Sequence, residues 1–248
     1  MKKALLITAL ASTLGLADFV GGEVNLGYYN HTASGDANYK GDTIDLDKDL
    51  NWDSQGDIFI KAYLEHPVPI IPNIKLGYTD FSHSAEARSK DIEFGDTLFD
   101  GDAKINSDFN IKMYDITLYY ELLDMLWMNF DMGVNIKYMD GDISLKGYDG
   151  SHRPIYENAD FTLPIPMLYA KARVDIPSTD VSVQIEGNYI GYDGNTLMDL
   201  EMGVRYTFAL GLGVELGYKT FELEIDDVDD FNMNADFSGV YGKAVWDF

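Results

Sequence analysis

The chain has 248 residues with 42 acidic against 18 basic side chains, a formal net charge of -24, and no cysteine. So acidic a balance excludes a nucleic-acid partner, because phosphate binding needs a basic surface. The absence of cysteine excludes a disulfide scaffold, and a slightly negative mean hydropathy with no apolar run near 20 residues after Leu16 excludes a helical membrane span.

Residues 1–17 form the first predicted element. Lys2 and Lys3 supply a positive start, residues 4–16 an apolar stretch too short to cross a bilayer, and Gly15-Leu16-Ala17 small residues at the cleavage positions. This predicts a signal peptide over 1–17 and a single exported domain over 18–248. Removal of Lys2 and Lys3 makes the mature chain more acidic still.

Beyond residue 17 the apolar residues alternate instead of clustering. Met128, Phe130, Met132, Val134, Ile136 and Tyr138 take turns with Asn129, Asp131, Gly133, Asn135 and Lys137. Such a period of two is the mark of a strand whose faces meet different surroundings. In chain order the same reading predicts strands at 24–28, 58–64, 74–78, 114–120, 128–138, 168–174, 181–189, 198–208, 212–218 and 240–248. Pro164 and Pro166 cannot donate ladder hydrogen bonds, so the strand near 168 is expected to pair regularly only from Met167 onward, with a bulge or loop above it. Residues 43–50 also alternate and read as a short pair of loop strands or a folded plug.

Ten strands make an even count, as a bacterial barrel requires; eight and twelve also fit the alternation. The connections at 66–73, 121–126, 176–179 and 209–211 are short, like periplasmic turns. Those at 34–55, 82–107, 141–158 and 226–234 are long, like outer loops, with Asp193-Gly194 a tight exception. Tyr28, Tyr78, Tyr138, Tyr206, Phe208 and Tyr218 sit near strand ends, where interfacial aromatics gather. The fold expected is all-β: a closed antiparallel up-and-down transmembrane β-barrel in the cell outer membrane. A soluble exported barrel holding a greasy ligand would alternate similarly with its faces reversed. The last strand, with Val240, Gly242, Ala244, Trp246 and Phe248 on one face, is expected to close the barrel against residues 24–28. Its terminal aromatic resembles the signal read by the barrel assembly machinery.

Gly21-Gly22-Glu23-Val24, Asp45-Leu46-Asp47-Lys48-Asp49-Leu50, Glu65-His66-Pro67-Val68-Pro69 with Pro72-Asn73, Leu118-Tyr119-Tyr120-Glu121-Leu122-Leu123-Asp124 and Pro166-Met167-Leu168-Tyr169-Ala170-Lys171 carry a family resemblance. Together with the closing strand they resemble a family of small bacterial outer-membrane β-barrel proteins with an N-terminal GlyGly motif. The resemblance implies location and fold. It brings no catalytic residue and no substrate.

The rows expected to face inward hold Lys61, Glu65, Asp115, Asp131, Lys137, Lys171, Arg173, Asp175, Glu186, Asp199, Glu201, Arg205, Glu215 and Lys219. Buried charges must pair or meet water, so these residues imply a salt-bridged core that occludes the lumen, or a narrow, cation-preferring pore. The role expected is structural or porin-like. Asp45, Asp47 and Asp49 offer alternating hard oxygens to calcium but lack the turn glycine and distal glutamate of an EF-hand loop; solvated loop charge is the plain alternative. No other cofactor is implied. An outer-membrane surface hydrolase is the competing class, and His31 and His83, with Asp80, Ser82 and Ser84 nearby, are its candidates. His83 and Ser84 are adjacent and so point to opposite faces, His152 sits in a loop, and no motif unites the four histidines, so the chain reads as no enzyme. Expected partners are outer-membrane lipid, lipopolysaccharide and the assembly machinery, with the chain a monomer.

Overall fold

The computed structural model describes residues 21–87, 91–94, 97–99, 104–149, 153–228 and 231–248; the signal-peptide expectation over 1–17 lies outside them. Thirteen strands are present among these residues: β1 Gly21–Tyr39, β2 Thr43–Asp45, β3 Gln55–Glu65, β4 Asn73–Ala87, β5 Ile92–Phe94, β6 Thr97–Phe99, β7 Ile105–Met125, β8 Met128–Tyr148, β9 Pro154–Asp175, β10 Val181–Tyr192, β11 Asn195–Thr207, β12 Leu212–Val228 and β13 Phe231–Asp247. Ten of them, all but β2, β5 and β6, pair antiparallel in sequence order and close through β13 and β1. The closing register sets Val24 opposite Trp246 and Tyr28 opposite Gly242, as the closing-strand reading expects. At the end of this seam the Gly22 and Phe248 backbones exchange two hydrogen bonds of 2.8 Å. A side chain at Gly22 would meet the Phe248 ring at 2.7 Å, so the glycine makes room for that ring.

Outward-facing residues in the lower part of the wall are aliphatic and exposed, among them Leu216 at 70%, Val240 at 63% and Leu168 at 60%. Tyr78, Tyr114 and Tyr138 are cross-strand partners above this belt, with ring centroids 5.1 and 6.3 Å apart. Trp127, Tyr206, Phe208 and Trp246 lie exposed toward the other end. An apolar outer face bounded by aromatics belongs in lipid, and this rules out the soluble barrel with an apolar interior along its whole length.

The strands are longer than the alternation suggests. A 21-residue strand such as β7 extends about 70 Å, whereas roughly 9–11 tilted residues cross the hydrocarbon. The excess lies on the side opposite the short turns, which is the outer side. There the polarity of the wall inverts. On β7, Tyr114, Ile116, Leu118 and Tyr120 face out while Asp115, Thr117 and Tyr119 are buried; further up, Phe109, Ile111 and Met113 are buried and Asn110 and Lys112 face out. The expected outer loops are correspondingly corrected: 34–55 shrinks to the link between Tyr39 and Gln55, and 141–158 to the link between Tyr148 and Pro154. The expected turn at 121–126 is likewise a continuation of β7 through a bulge between Glu121 and Leu123.

Proline on β9 also acts differently from the expectation. β9 pairs with β8 along its full length, Tyr138 opposite Pro164 and Ile136 opposite Pro166, while pairing with β10 covers only residues 168–175. Because β10 and β11 turn back at Asp193-Gly194, with positive φ of 51° and 84°, no strand among the described residues pairs with β9 on this side above Leu168, and such an edge tolerates proline.

The first outer loop follows the plug reading of 43–50, with one short strand in place of the expected pair. Thr43–Asp45 pairs with β1, and Ile44, Leu46, Leu50 and Trp52, each no more than 3% exposed, then fill the barrel mouth. Trp52 donates its indole hydrogen to Ser107 Oγ at 2.7 Å and packs against His83 and Phe109. Truncating so buried a tryptophan costs about 3–5 kcal/mol of local stability. Trp52→Ala is expected to free this loop without unfolding the barrel: trypsin should cleave at Lys48 far faster than in the wild type while the β-sheet circular dichroism stays unchanged.

Candidate functional site

The lumen within the membrane is the first candidate. Alternation forces every second side chain of ten strands into a cylinder with little spare width. Six cations meet six carboxylates there. Lys61 bridges Glu186 at 3.2 Å and Glu201 at 2.8 Å, and Lys75 also reaches Glu186. Lys137 joins Asp115 at 2.9 Å to Asp199 at 3.1 Å, and Lys219 joins Asp199 at 2.5 Å to Glu201 at 3.0 Å. Lys243 lies 3.0 Å from Glu215. Arg205 binds Glu23 through two nitrogens at 2.6 and 3.1 Å and Glu215 at 3.0 Å. Hydrogen bonds from uncharged donors complete the packing: Tyr63 donates to Glu186 at 2.6 Å, Tyr241 to Glu215 at 2.5 Å and Gln184 to Glu215 at 3.0 Å. The cavity left among Lys61, Lys75, Glu186, Asp199, Glu201 and Lys219 measures about 10 Å³, the lower limit for one water.

The inward charges read from the sequence assemble here, except Glu65, Asp131, Lys171, Arg173 and Asp175, which lie nearer the periplasmic end. Glu23, Lys75 and Lys243 are the members that sequence reasoning missed. Lys75, between outward Ile74 and Leu76, takes the inward position of an alternating run, and that alternation is the signal that could have found it.

The histidine candidates lie above the network, at the floor of the apolar upper core. His31 Nε2 sits 2.7 Å from Asp57 Oδ2, and the other Asp57 oxygen accepts Ser82 N and Oγ, both at 3.1 Å. The His31 ring stacks on Phe81 at 4.6 Å and lies 5.5 Å from His83. This order of contacts is hydroxyl to carboxylate to imidazole. Nucleophilic catalysis requires the hydroxyl on the imidazole, so Ser82 gains no base. Both rings are 1% exposed beneath Trp52, and Asp80 and Ser84 point outward from the wall. His66 belongs to the turn after β3, where Val68 N donates to its Nδ1 at 3.2 Å. His152 lies outside the described residues.

Asp45, Asp47 and Asp49 belong to the plug loop. Asp45 Oδ1 accepts Asp47 N at 3.2 Å and Lys48 N at 3.0 Å, its Oδ2 pairs with Lys48 Nζ at 2.5 Å, and Asp49 Oδ2 accepts Asp45 N at 3.1 Å. Asp47 points into solvent. Among the described residues no three His, Asp or Glu side chains are placed to hold a metal ion. The Lys48 hydrogen bond holds the Asp45 carboxyl below its ordinary range, so this contact is present at neutral pH and fades as acid protonates Asp45. Calcium is therefore expected to raise the melting temperature no more than sodium chloride of equal ionic strength.

Neither a protein-family model nor a curated protein matches this chain. Among solved structures, the outer membrane protease OmpT from Escherichia coli is similar at a TM-score of 0.57 and 11% identity, over 93% of this chain and 97% of that one. The fold is that of an outer-membrane β-barrel. A FadL homologue from Pseudomonas aeruginosa scores 0.41 at 8% identity, over 93% and 91% of the two chains. Ail, the attachment invasion locus protein of Yersinia pestis, scores 0.37 at 8% identity, over 92% and 99%. At 11% identity the likeness to OmpT is one of architecture. With the apolar belt, that architecture places the chain in the outer membrane.

The balance of the network makes a sharp prediction. Removing one partner of a buried ion pair leaves an uncompensated charge worth about 3–5 kcal/mol, whereas replacing both partners with apolar residues is close to neutral. Glu186→Gln is expected to lower the urea midpoint of the refolded barrel markedly, and Glu186→Leu with Lys75→Met to restore most of the loss.

Proposed function

We propose that this barrel is a structural outer-membrane protein with an occluded lumen, in which permeation is confined to a narrow, cation-preferring path that conducts only when the ion-pair network parts. The observation that carries this reading is the pairing of six cations with six carboxylates across the lumen, with a cavity of only about 10 Å³ left beside Lys61, Lys75 and Lys219. A hydrated ion cannot enter that volume without breaking several charge pairs at once. The chain in this reading is a monomer and not an enzyme. Burial of His31 and His83 beneath the plug and the lack of a base on Ser82 support the second point. Its partners are membrane lipid, lipopolysaccharide around the apolar belt, and the assembly machinery during insertion.

We also infer membership of the small outer-membrane family with the GlyGly motif. The fit of Phe248 against Gly22 gives that motif a physical reason, since a bulkier residue there would push the last strand's ring off the seam.

Planar-bilayer recording of the refolded protein tests the occlusion. The wild type is expected to give no steady current at moderate voltage, with rare small openings at most. A stable conductance of the size of an open general porin would overturn the reading.

A further inference from the structure

At the periplasmic end, below the network, a polar cavity of about 150 Å³ opens beside Glu65, Glu121, Asp131 and Lys171. Strand pairing sets this group side by side: Asp131 on β8 lies opposite Glu121 on β7 and opposite Lys171 on β9. The other charges on the wall are already engaged. Glu23 is held by Arg205, and Arg173 lies between Asp175 at 2.9 Å and Asp247 at 3.9 Å. Three carboxylates therefore face one ammonium, and that ammonium, Lys171 Nζ, sits 4.3 Å from the centroid of the Tyr63 ring.

Two details show that this charge is uncompensated. Asp131 is only 4% exposed, yet its Oδ1 has no hydrogen-bond partner. A buried carboxylate oxygen without a donor is costly, and a ligand carrying donors would relieve the cost. The Glu65 and Glu121 carboxyl groups line the same cavity, and two like charges facing one space favour a cation between them. Tyr119 donates to Glu65 at 3.1 Å and fixes it in place.

We propose that this cavity binds a small aliphatic ammonium ion from the periplasmic side, its amine hydrogens donated to Asp131 and to the Glu65–Glu121 pair. An ammonium group has three donors, no acceptor, and tolerance for acceptors spread over several positions. A divalent metal needs its oxygens to converge, and among the described residues no three do. The volume leaves room for a chain of a few carbons behind the amine.

The test is isothermal titration of the full refolded chain in detergent with 1,4-diaminobutane at fixed ionic strength, with magnesium chloride and glycine as comparison titrants. One saturable site is expected, weakened at least tenfold by Asp131→Asn and by Glu121→Gln, and tightened by Lys171→Met. Glu121 lies at the exposed rim, so its substitution leaves the fold intact and keeps the test decisive should Asp131→Asn fail to refold. No saturable heat, an affinity unchanged by Glu121→Gln, or equal binding of magnesium or glycine would each overturn the proposal.

Discussion

Hydrocarbon offers a backbone amide no partner except another backbone group, so a sheet that crosses it must close on itself. In this chain closure rests on the seam between β1 and β13, paired from Glu23 opposite Asp247 to Tyr39 opposite Phe231. Gly22 and Phe248 end it with a reciprocal pair of hydrogen bonds, and the ring of Phe248 lies where only a glycine leaves space. Once the seam is made, neither the first strand nor the last leaves an edge in lipid. The inner width is then fixed, and with it the number of side chains that must share the lumen.

The contents of the lumen follow from that width. A cylinder this narrow cannot hold water around each charge, so the charges neutralise one another, with Glu186, Glu201 and Glu215 each touching more than one cation. Above the membrane the constraint reverses, because the wall there meets water on its outer face. The interior accordingly becomes aromatic and aliphatic, centred on Phe81, Phe109, Phe221 and Phe237 and capped by Leu46, Leu50 and Trp52 from the first loop. The molecule is thus two barrels end to end, with opposite polarity on one continuous wall. His31 and Asp57 lie at their junction, where their hydrogen-bonded contact is buried under a ring stack.

This inversion explains what was and was not legible in the sequence. Inside the membrane section the alternation is unbroken, and ten as the preferred strand count, the strand order, most of the inward charges and the pairing of the last strand with the first follow from it. Past the aromatic belt the apolar residues change faces, as between Leu76 and Phe81 on β4, and a reading that follows one apolar row loses the strand at that point. The extensions therefore read as loops. Pro164 and Pro166 misled for a related reason: a missing donor matters only where a neighbouring strand waits for it, and the short β10–β11 hairpin leaves none beside that edge. The contact between His31 and Asp57 joins residues 26 apart through strand register, and nothing local signals it.

By itself the sequence determined the class of fold, the closing pair and most of the inward charges, because each is set by a period of two and by the chemistry of single residues. Only the tertiary structure decided which cation meets which carboxylate, that the first loop seals the outer mouth, and that a cavity with an unpartnered Asp131 remains at the periplasmic end. Those outcomes depend on strand tilt and register, which bring residues more than a hundred positions apart, such as Lys75 and Glu186, into one narrow space.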